Sequence, residues 1–182
     1  MAETATRIHP LEHRNFSGNR IAIQPAAPAT RLSLRAPAAS LSALSKALAI
    51  KLPEKPGSSA SKGERHALWL GPDEWLVIDE GEGDLMAACA KVPALHSAVD
   101  VSHRNVAILV SGTAVEDVLA AGCPRDLSPG AFPVGAASRT VFGKVEIVLY
   151  RTAADAFRLE VWRSFSDYAL TLLEEAARDT AA

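Results

Sequence analysis

The 182-residue sequence predicts an α+β fold built from two related strand–helix–hairpin–helix units with antiparallel sheets. Short runs of alternating apolar residues predict strands, and between them apolar residues recur every three or four positions, which predicts helices. The same order of elements occurs twice, offset by roughly 75 to 83 residues. We therefore expect a single domain over 31–178, with halves at about 31–93 and 94–178, preceded by an extended arm at 1–30 and followed by a tail at 179–182.

The first unit has clear turn and helix signals. Leu41, Leu44 and Leu48 recur on one face of a helix, and Pro53 prevents its continuation. Pro72 suits the second position of a tight turn between two strands. The predicted elements are a strand at 31–35, a helix at 40–50, a polar loop at 52–64, hairpin strands at 65–70 and 75–78, and a helix at 84–92.

The second unit repeats this order. Two sequences of the capping-box type, Thr113–Glu116 and Ser164–Asp167, predict the starts of its helices. The predicted elements are strands at 95–101 and 105–110, a helix ending at Gly122, a loop at 123–133, strands at 134–142, 145–150 and 157–162, and a final helix. The face of the final helix expected to be buried carries Phe165, Tyr168, Ala169, Leu172, Leu173 and Ala176.

Residues 1–30 lack a periodic apolar pattern and contain three prolines, so the segment is either a solvated tail or an arm that becomes ordered on a partner. Spaced large apolar groups and an excess of arginine over acidic residues favour the arm. It is expected to be mobile in the isolated chain. The candidate partner-binding residues are Arg7, His9, His13, Arg14, Phe16, Arg20, Ile21 and Ile23.

Composition excludes several classes of function. A net charge of −2 without a basic stripe argues against nucleic acid as a partner. No apolar run approaches the roughly 20 residues of a membrane span, and the N-terminus shows no signal-peptide pattern. Two cysteines form no disulfide framework, so a cytoplasmic location is expected.

Motif searches give no catalytic, cofactor-binding or metal-binding residue. His9 and His13 are four residues apart, but Pro10 argues against a helix that would present both to a metal. Asp100, Ser102 and His103 are the residue types of a catalytic triad, yet they share one strand end, where a polar turn is the expected role.

Two further groups of residues are expected to be structural rather than functional. Glu146 and Glu160 alternate with apolar residues on neighbouring strands, so both are expected on one solvated face. Trp69, Trp75 and Trp162 are expected in the core. By its residues alone, the chain is therefore interpreted as a subunit or a binding module.

Several motifs resemble those of the aminomethyltransferase family, the T-proteins of glycine cleavage. The resemblance rests on GPDEWLVID at 71–79, DVSHRNVAILVSGTAVEDVL at 100–119 and FRLEVWRSFSDYALTLLEE at 157–175. With CPRDL at 123–127 and FGKVEIVLYR at 142–151, the chain is most similar to the gamma-subunit family of heterotetrameric sarcosine oxidases. The matching order extends over about residues 31–178.

The resemblance implies a T-protein folate-binding fold and a non-catalytic accessory role in a complex with alpha, beta and delta subunits. That complex oxidatively demethylates sarcosine to glycine, produces hydrogen peroxide and passes the one-carbon unit to tetrahydrofolate. FAD, FMN and NAD are implied on the large subunits and zinc on the delta subunit, with no cofactor on this chain.

One departure from the T-proteins concerns their glycine-rich, acidic folate segment. The corresponding stretch, SSASKGERHALWL at 58–70, has neither a glycine pair nor an aspartate, so a folate site is not expected. The alternative is a stand-alone folate-binding or one-carbon transfer protein of the T-protein family.

Overall fold

The computed structural model describes residues 10–180, which form eleven strands and four α-helices. The strands are β1 (Phe16–Ser17), β2 (Ala22–Pro25), β3 (Thr30–Arg35), β4 (Ser59–Lys62), β5 (Arg65–Gly71), β6 (Glu74–Asp79), β7 (Ser97–Asp100), β8 (Asn105–Ser111), β9 (Ala137–Phe142), β10 (Val145–Ala153) and β11 (Ala156–Trp162). The helices are α1 (Leu41–Ala47), α2 (Leu85–Ala90), α3 (Val115–Ala120) and α4 (Ser166–Thr180). No helix in this part of the chain is long and apolar enough to cross a membrane.

Two antiparallel sheets pack face to face, with helices on the outer side of each. The six-stranded sheet has the order β1-β2-β8-β11-β10-β9, and the five-stranded sheet has the order β4-β5-β6-β3-β7. One apolar core lies between the six-stranded sheet and helices α3 and α4, and a second lies between the other sheet and helices α1 and α2. A third, smaller cluster joins the inner faces of the two sheets. The strands are therefore covered on both faces.

The predicted α+β fold with duplicated units is confirmed. The series β3-α1-β4-β5-β6-α2 has the same order as β8-α3-β9-β10-β11-α4, and the sheet orders β3-β6-β5-β4 and β8-β11-β10-β9 correspond strand by strand. Leu34 faces Trp75 in the first unit as Val110 faces Phe157 in the second. Both hairpins have a register shift just before the turn. Strand β4 lies within the segment 52–64, so the prediction of a continuous loop there was wrong.

The strand before each unit pairs with the first strand of the other unit. Strand β2 precedes β3 in the chain but pairs with β8, whereas β7 precedes β8 but pairs with β3. The first half of the chain thus supplies β2 to the six-stranded sheet, and the second half supplies β7 to the five-stranded sheet. A division of the chain at about residue 93 consequently does not divide the sheets.

The N-terminal segment is part of the fold from Leu11 onward. Leu11, Ile21 and Ile23 are buried in the core of the six-stranded sheet, and β2 is hydrogen-bonded to β8. The sequence missed this because the partner of a four-residue strand lies more than 80 residues away in the chain. Arg7 and His9 lie outside the described residues.

Neither capping box is present. Ala114 is the residue at the start of α3 and makes no side-chain cap, and the hydroxyl of Ser166 donates to the carbonyl of Arg163 within a short 3-10 turn before α4. The α4 face is also shifted, since Phe165 and Tyr168 are exposed and Leu170 is buried. Phe165 belongs to the 3-10 turn that precedes α4, so the helical spacing does not apply to it.

Candidate functional site

A chain of charged side chains runs between the two sheets. Arg31 on β3 donates through Nε to Glu160 on β11 at 2.6 Å, and Arg158 donates through Nε to the other carboxylate oxygen of Glu160 at 2.8 Å. Arg158 also pairs with Glu80, whose carboxylate reaches the surface. Arg31, Arg158 and Glu160 are almost fully buried. These four groups join the two halves by ion pairs.

The position of Glu160 corrects a prediction. Glu146 and Glu160 do lie on the same face of the sheet, but this face meets the other sheet, and only Glu146, near its open end, is exposed. A buried carboxylate is tolerated only when its oxygens are paired, and the two arginines supply that pairing. The alternation of residues along β11 therefore predicted correctly that the two glutamates share one face of the sheet. The prediction that this face is solvated was wrong.

One nitrogen of this network has no partner. Within residues 10–180, Nη2 of Arg158 is buried and makes no hydrogen bond. His66 lies near it, and burial is the largest cause that lowers the pKa of the imidazole. Ser61 bridges Nδ1 of His66 at 2.9 Å and the hydroxyl of Tyr150 at 3.0 Å. The inner face thus combines ionic and neutral polar groups.

Asp100, Ser102 and His103 do not form a triad. A carboxylate oxygen of Asp100 accepts from the backbone N–H of Ser102 at 2.8 Å, which is the geometry of a polar turn. The hydroxyl of Ser102 accepts from the backbone N–H of Arg31 at 2.8 Å, and His103 is exposed. The serine hydroxyl thereby ties the β7–β8 turn to β3.

A cleft opens at the end of the inner face. Its walls include Glu74, Arg139 and Trp162, and it encloses about 40 Å³. One water requires roughly 10–15 Å³, so the cleft holds a few waters and is too small for a flavin or pterin ring. Hydrogen bonds from Arg139 to Glu74, the shorter at 2.5 Å, are the main cause that lowers the pKa of the Glu74 carboxyl.

Beside this cleft lies an exposed aromatic group. Trp162 is 38% exposed and Phe165 is 42% exposed, and their ring centroids are 6.0 Å apart at 27°. The guanidinium of Arg104 lies 5.0 Å from the Trp162 ring centroid. Trp75 is buried and Trp69 is half-buried, as a core position requires, but the prediction that Trp162 belongs to the core was wrong.

The remaining arm residues contact α3 and α4. Arg14 pairs with Asp167 at 2.7 Å and with Glu174 at 3.2 Å, and these carboxylates raise its pKa. Arg178 lies over the ring of Phe16 at 5.6 Å, and Arg20 donates to the hydroxyl of Thr113 at 3.5 Å. His13 is exposed. The structure therefore brings Arg14 to α4 of the same chain and Arg20 to the segment just before α3.

The sequence missed Arg151, which organises the 123–133 loop. Its guanidinium is buried, donates to the carbonyls of Leu127 at 2.8 Å and Phe132 at 3.1 Å, and pairs with Glu116 at 2.6 Å. It also bonds to the carbonyl of Ala154. An arginine at the end of an apolar strand, where the pattern predicts burial, is a signal that could have found it.

Metal and thiol chemistry have little support within the described part of the chain. No group of three or more His, Cys, Asp or Glu side chains there is placed to hold a metal ion. Cys89 and Cys123 are free and buried, and burial raises the pKa of the Cys89 thiol. A buried thiol with a raised pKa is a poor nucleophile.

Comparisons with known proteins agree with one another. A family model described as the sarcosine oxidase, gamma subunit family matches residues 34–179. The gamma subunit of sarcosine oxidase from Arthrobacter sp. is 32% identical, with 98% of this chain and 93% of the relative covered. The gamma subunit from Corynebacterium sp. (strain P-1) is 31% identical with the same coverage.

Two solved structures are similar. A heterotetrameric sarcosine oxidase from Corynebacterium sp. U-96, in complex with pyrrole 2-carboxylate, contains a chain with 28% identity, a TM-score of 0.89 and 97% coverage of both chains. Aminomethyltransferase T of the glycine cleavage system from Bartonella henselae matches with 14% identity and a TM-score of 0.66, over 87% of this chain and 46% of that one. The second likeness shows the fold alone.

Proposed function

Since the chain belongs to the sarcosine oxidase gamma subunit family, we propose that it is the gamma subunit of a flavin-dependent heterotetrameric sarcosine oxidase. The observation that carries the proposal is the match along nearly the whole length of both chains, in sequence at 32% identity and in structure at a TM-score of 0.89. A shared fold alone would not identify a function. Here the sequence matches gamma subunits and the structure matches a chain of a heterotetrameric sarcosine oxidase, so both support the same enzyme.

The proposed complex contains alpha, beta and delta subunits and oxidises sarcosine to glycine with reduction of oxygen to hydrogen peroxide. The methyl carbon passes to tetrahydrofolate. FAD, FMN and NAD belong to the large subunits in this proposal, and zinc to the delta subunit. The free cysteines are compatible with the cytoplasm as the location of the complex.

The role proposed for this chain is accessory. Its polar clusters are engaged in holding the fold: Glu160 binds two arginines and Ser102 binds a backbone N–H. General acid–base catalysis needs a group within hydrogen-bond reach of substrate and open to it. The buried carboxylate and hydroxyl are enclosed between strands, which supports a structural role for both.

Reconstitution tests the proposal. The chain is co-expressed with the alpha, beta and delta genes of its own genome, and a tag on this chain is used for purification. We expect a yellow complex in equal stoichiometry that consumes sarcosine and oxygen. Isolated alone, the chain is expected to be colourless and to bind tetrahydrofolate no better than millimolar by calorimetry.

The accessory role has a separate test in the assembled enzyme. Asp100→Asn, Ser102→Ala and His103→Ala are expected to keep turnover within threefold of wild type in complexes of full stoichiometry. Removal of a true acid or base costs about 10²–10⁴ in rate. A hundredfold loss in an intact complex would place chemistry on this chain, whereas failure to recover any flavoprotein with the wild-type chain would refute the assembly itself.

A further inference from the structure

Three aromatic side chains lie exposed within seven residues of each other, at the junction of β11 and α4. Trp162, Phe165 and Tyr168 are between 38% and 42% exposed. The chain has only ten aromatic Phe, Trp and Tyr residues. With Arg104 and Lys144, which border them, we call these residues the aromatic patch. Large exposed aromatic groups beside arginine are typical of the centres of protein interfaces.

The aromatic patch is fixed by contacts with two turns. The backbone N–H of Arg163 donates to the carbonyl of Arg104 at 2.6 Å, which holds the Arg104 turn against Trp162. The backbone N–H of Lys144 donates to the Tyr168 hydroxyl at 3.3 Å. This approach is close, since a Cβ on Gly143 would lie 2.6 Å from the same hydroxyl. A surface held in this way loses little side-chain freedom on binding.

The charge of the aromatic patch is positive. Within residues 10–180, no carboxylate lies within ion-pair distance of the side chains of Arg104 or Lys144. The neighbouring Arg139 differs, because Glu74 and Glu146 neutralise it. The exposed aromatic groups are thus bordered by two cations that the fold itself does not balance.

We propose that the aromatic patch is the docking surface for an acidic segment of a partner subunit, with an apolar side chain against Trp162 and Phe165 and carboxylates at Arg104 and Lys144. The proposal rests on the proposed function for the existence of partner subunits. Charge complementarity selects an acidic partner. Arg104 stacked on Trp162 presents its N–H groups at the rim, where a carboxylate binds in a bidentate manner.

The test uses the full-length chain and the purified complex of the other three subunits. Phe165→Ser is expected to weaken their association about 100-fold, and Lys144→Glu about tenfold, measured by biolayer interferometry. Leu95→Ser and Lys91→Glu are matched controls, since Leu95 is 78% exposed, Lys91 is exposed, and both lie beside the helices that cover the five-stranded sheet. Both controls are expected to bind within threefold of wild type.

Salt and folding provide the remaining readouts. Association of the wild-type chain is expected to weaken as sodium chloride rises, and Lys144→Glu is expected to remove part of that dependence. The melting temperature of each isolated variant checks that it is folded. Lys144 is exposed, so its variant tests the surface even where Phe165→Ser unfolds the chain.

Three results would overturn the inference. Binding within threefold of wild type by both patch variants would show that the partner docks elsewhere. Salt-independent association would exclude an acidic occupant. Sedimentation that detects a dimer of this chain, abolished by Phe165→Ser, would make a second copy the occupant. In each case the proposed function still stands if the wild-type chain co-purifies with its flavoprotein partners.

Discussion

The two halves of the molecule have the same strand order but differ in chemistry at equivalent positions. Arg31 faces Ile78 across β3 and β6, and the equivalent pair across β8 and β11 is Ala107 and Glu160. In each half this pair consists of one charged and one apolar residue. The charged residue is on the first strand, β3, in the first half and on the last strand, β11, in the second half. Arg31 and Glu160 then meet across the sheets at 2.6 Å. The first half could not bury Arg31 alone, because the carboxylate that compensates it belongs to the other half, whereas Glu160 is also paired with Arg158 of its own half.

The difference shows how a duplicated fold becomes a single cooperative unit. A sheet face accepts apolar residues at these positions, as Ile78 and Ala107 demonstrate. The charged pair is therefore not required to fill the space. The pair favours one alignment of the two sheets, since a shift would separate Arg31 from Glu160 and leave the arginine buried without a carboxylate.

The largest expected effect comes from Arg151, whose equivalent in the first half is Trp69. Arg151→Met gives the second half an apolar residue there but leaves the Leu127 and Phe132 carbonyls without their donor. We expect a loss of about 3–5 kcal/mol in the free energy of unfolding, measured by urea denaturation. The exposed Arg139→Met is the control. A loss below about 1 kcal/mol would contradict the role of Arg151.

A double-mutant cycle tests the charges between the sheets. Glu160→Ile copies the first half and is expected to cost about 3 kcal/mol, because Arg31 remains buried without a carboxylate. Arg31→Met in the same chain is expected to restore at least about 1 kcal/mol of that loss by the same denaturation measurement. Glu146→Ile, on the same face but exposed, should change stability by less than about 0.5 kcal/mol. Strict additivity of the two buried changes would refute the coupling.

Gly112 marks the place where the N-terminal segment crosses the second half. It has φ +126°, and a Cβ there would lie 2.2 Å from the carbonyl oxygen of Arg20. The equivalent residue in the first half is Ala36. Its backbone N–H donates to the backbone carbonyl of Asp73, as the N–H of Gly112 donates to the backbone carbonyl of Asp155. We expect Gly112→Ala to lower the free energy of unfolding by about 2 kcal/mol and to speed amide hydrogen exchange of residues 21–25. Ala36→Gly should cost under about 1 kcal/mol and leave 21–25 protected.

The smallest effect concerns pH. His66 lies where the second half has Val148, and burial lowers the pKa of its imidazole in the folded state. The unfolded chain therefore binds the proton more readily, so stability falls as pH drops below about 6.5 towards the folded-state value. His66→Gln should flatten melting temperature against pH in this window, with His103→Gln as control. If melting temperature depends on pH equally in His66→Gln and in the wild type, His66 is not the group responsible.

The sequence was sufficient for most strands and helices because their local patterns are strong. Leu41, Leu44 and Leu48 predicted α1, and Pro72 predicted the β5–β6 turn correctly. The burial of Glu160 could not be predicted, because polar and apolar residues alternate along a strand whether its polar face packs against another sheet or against water.

The other errors have the same origin in distant contacts. Strand β2 is only four residues long and depends on a partner in the other half. The exposed position of Trp162 follows from the open end of the sandwich, which no local pattern records. Arg151 is an isolated arginine in the sequence, and only the loop that folds over it gives it a role.

The exchange of β2 and β7 has a consequence for the order in which the chain can fold during synthesis. The six-stranded sheet contains β1 and β2 at one edge, within residues 16–25, and β11, which ends at residue 162, so its assembly waits until residue 162 has left the ribosome. The five-stranded sheet also lacks β7 until the second half begins. Folding is therefore expected to be post-translational and slow, as for other folds of high contact order, and the waiting β2 segment is a natural target for chaperones.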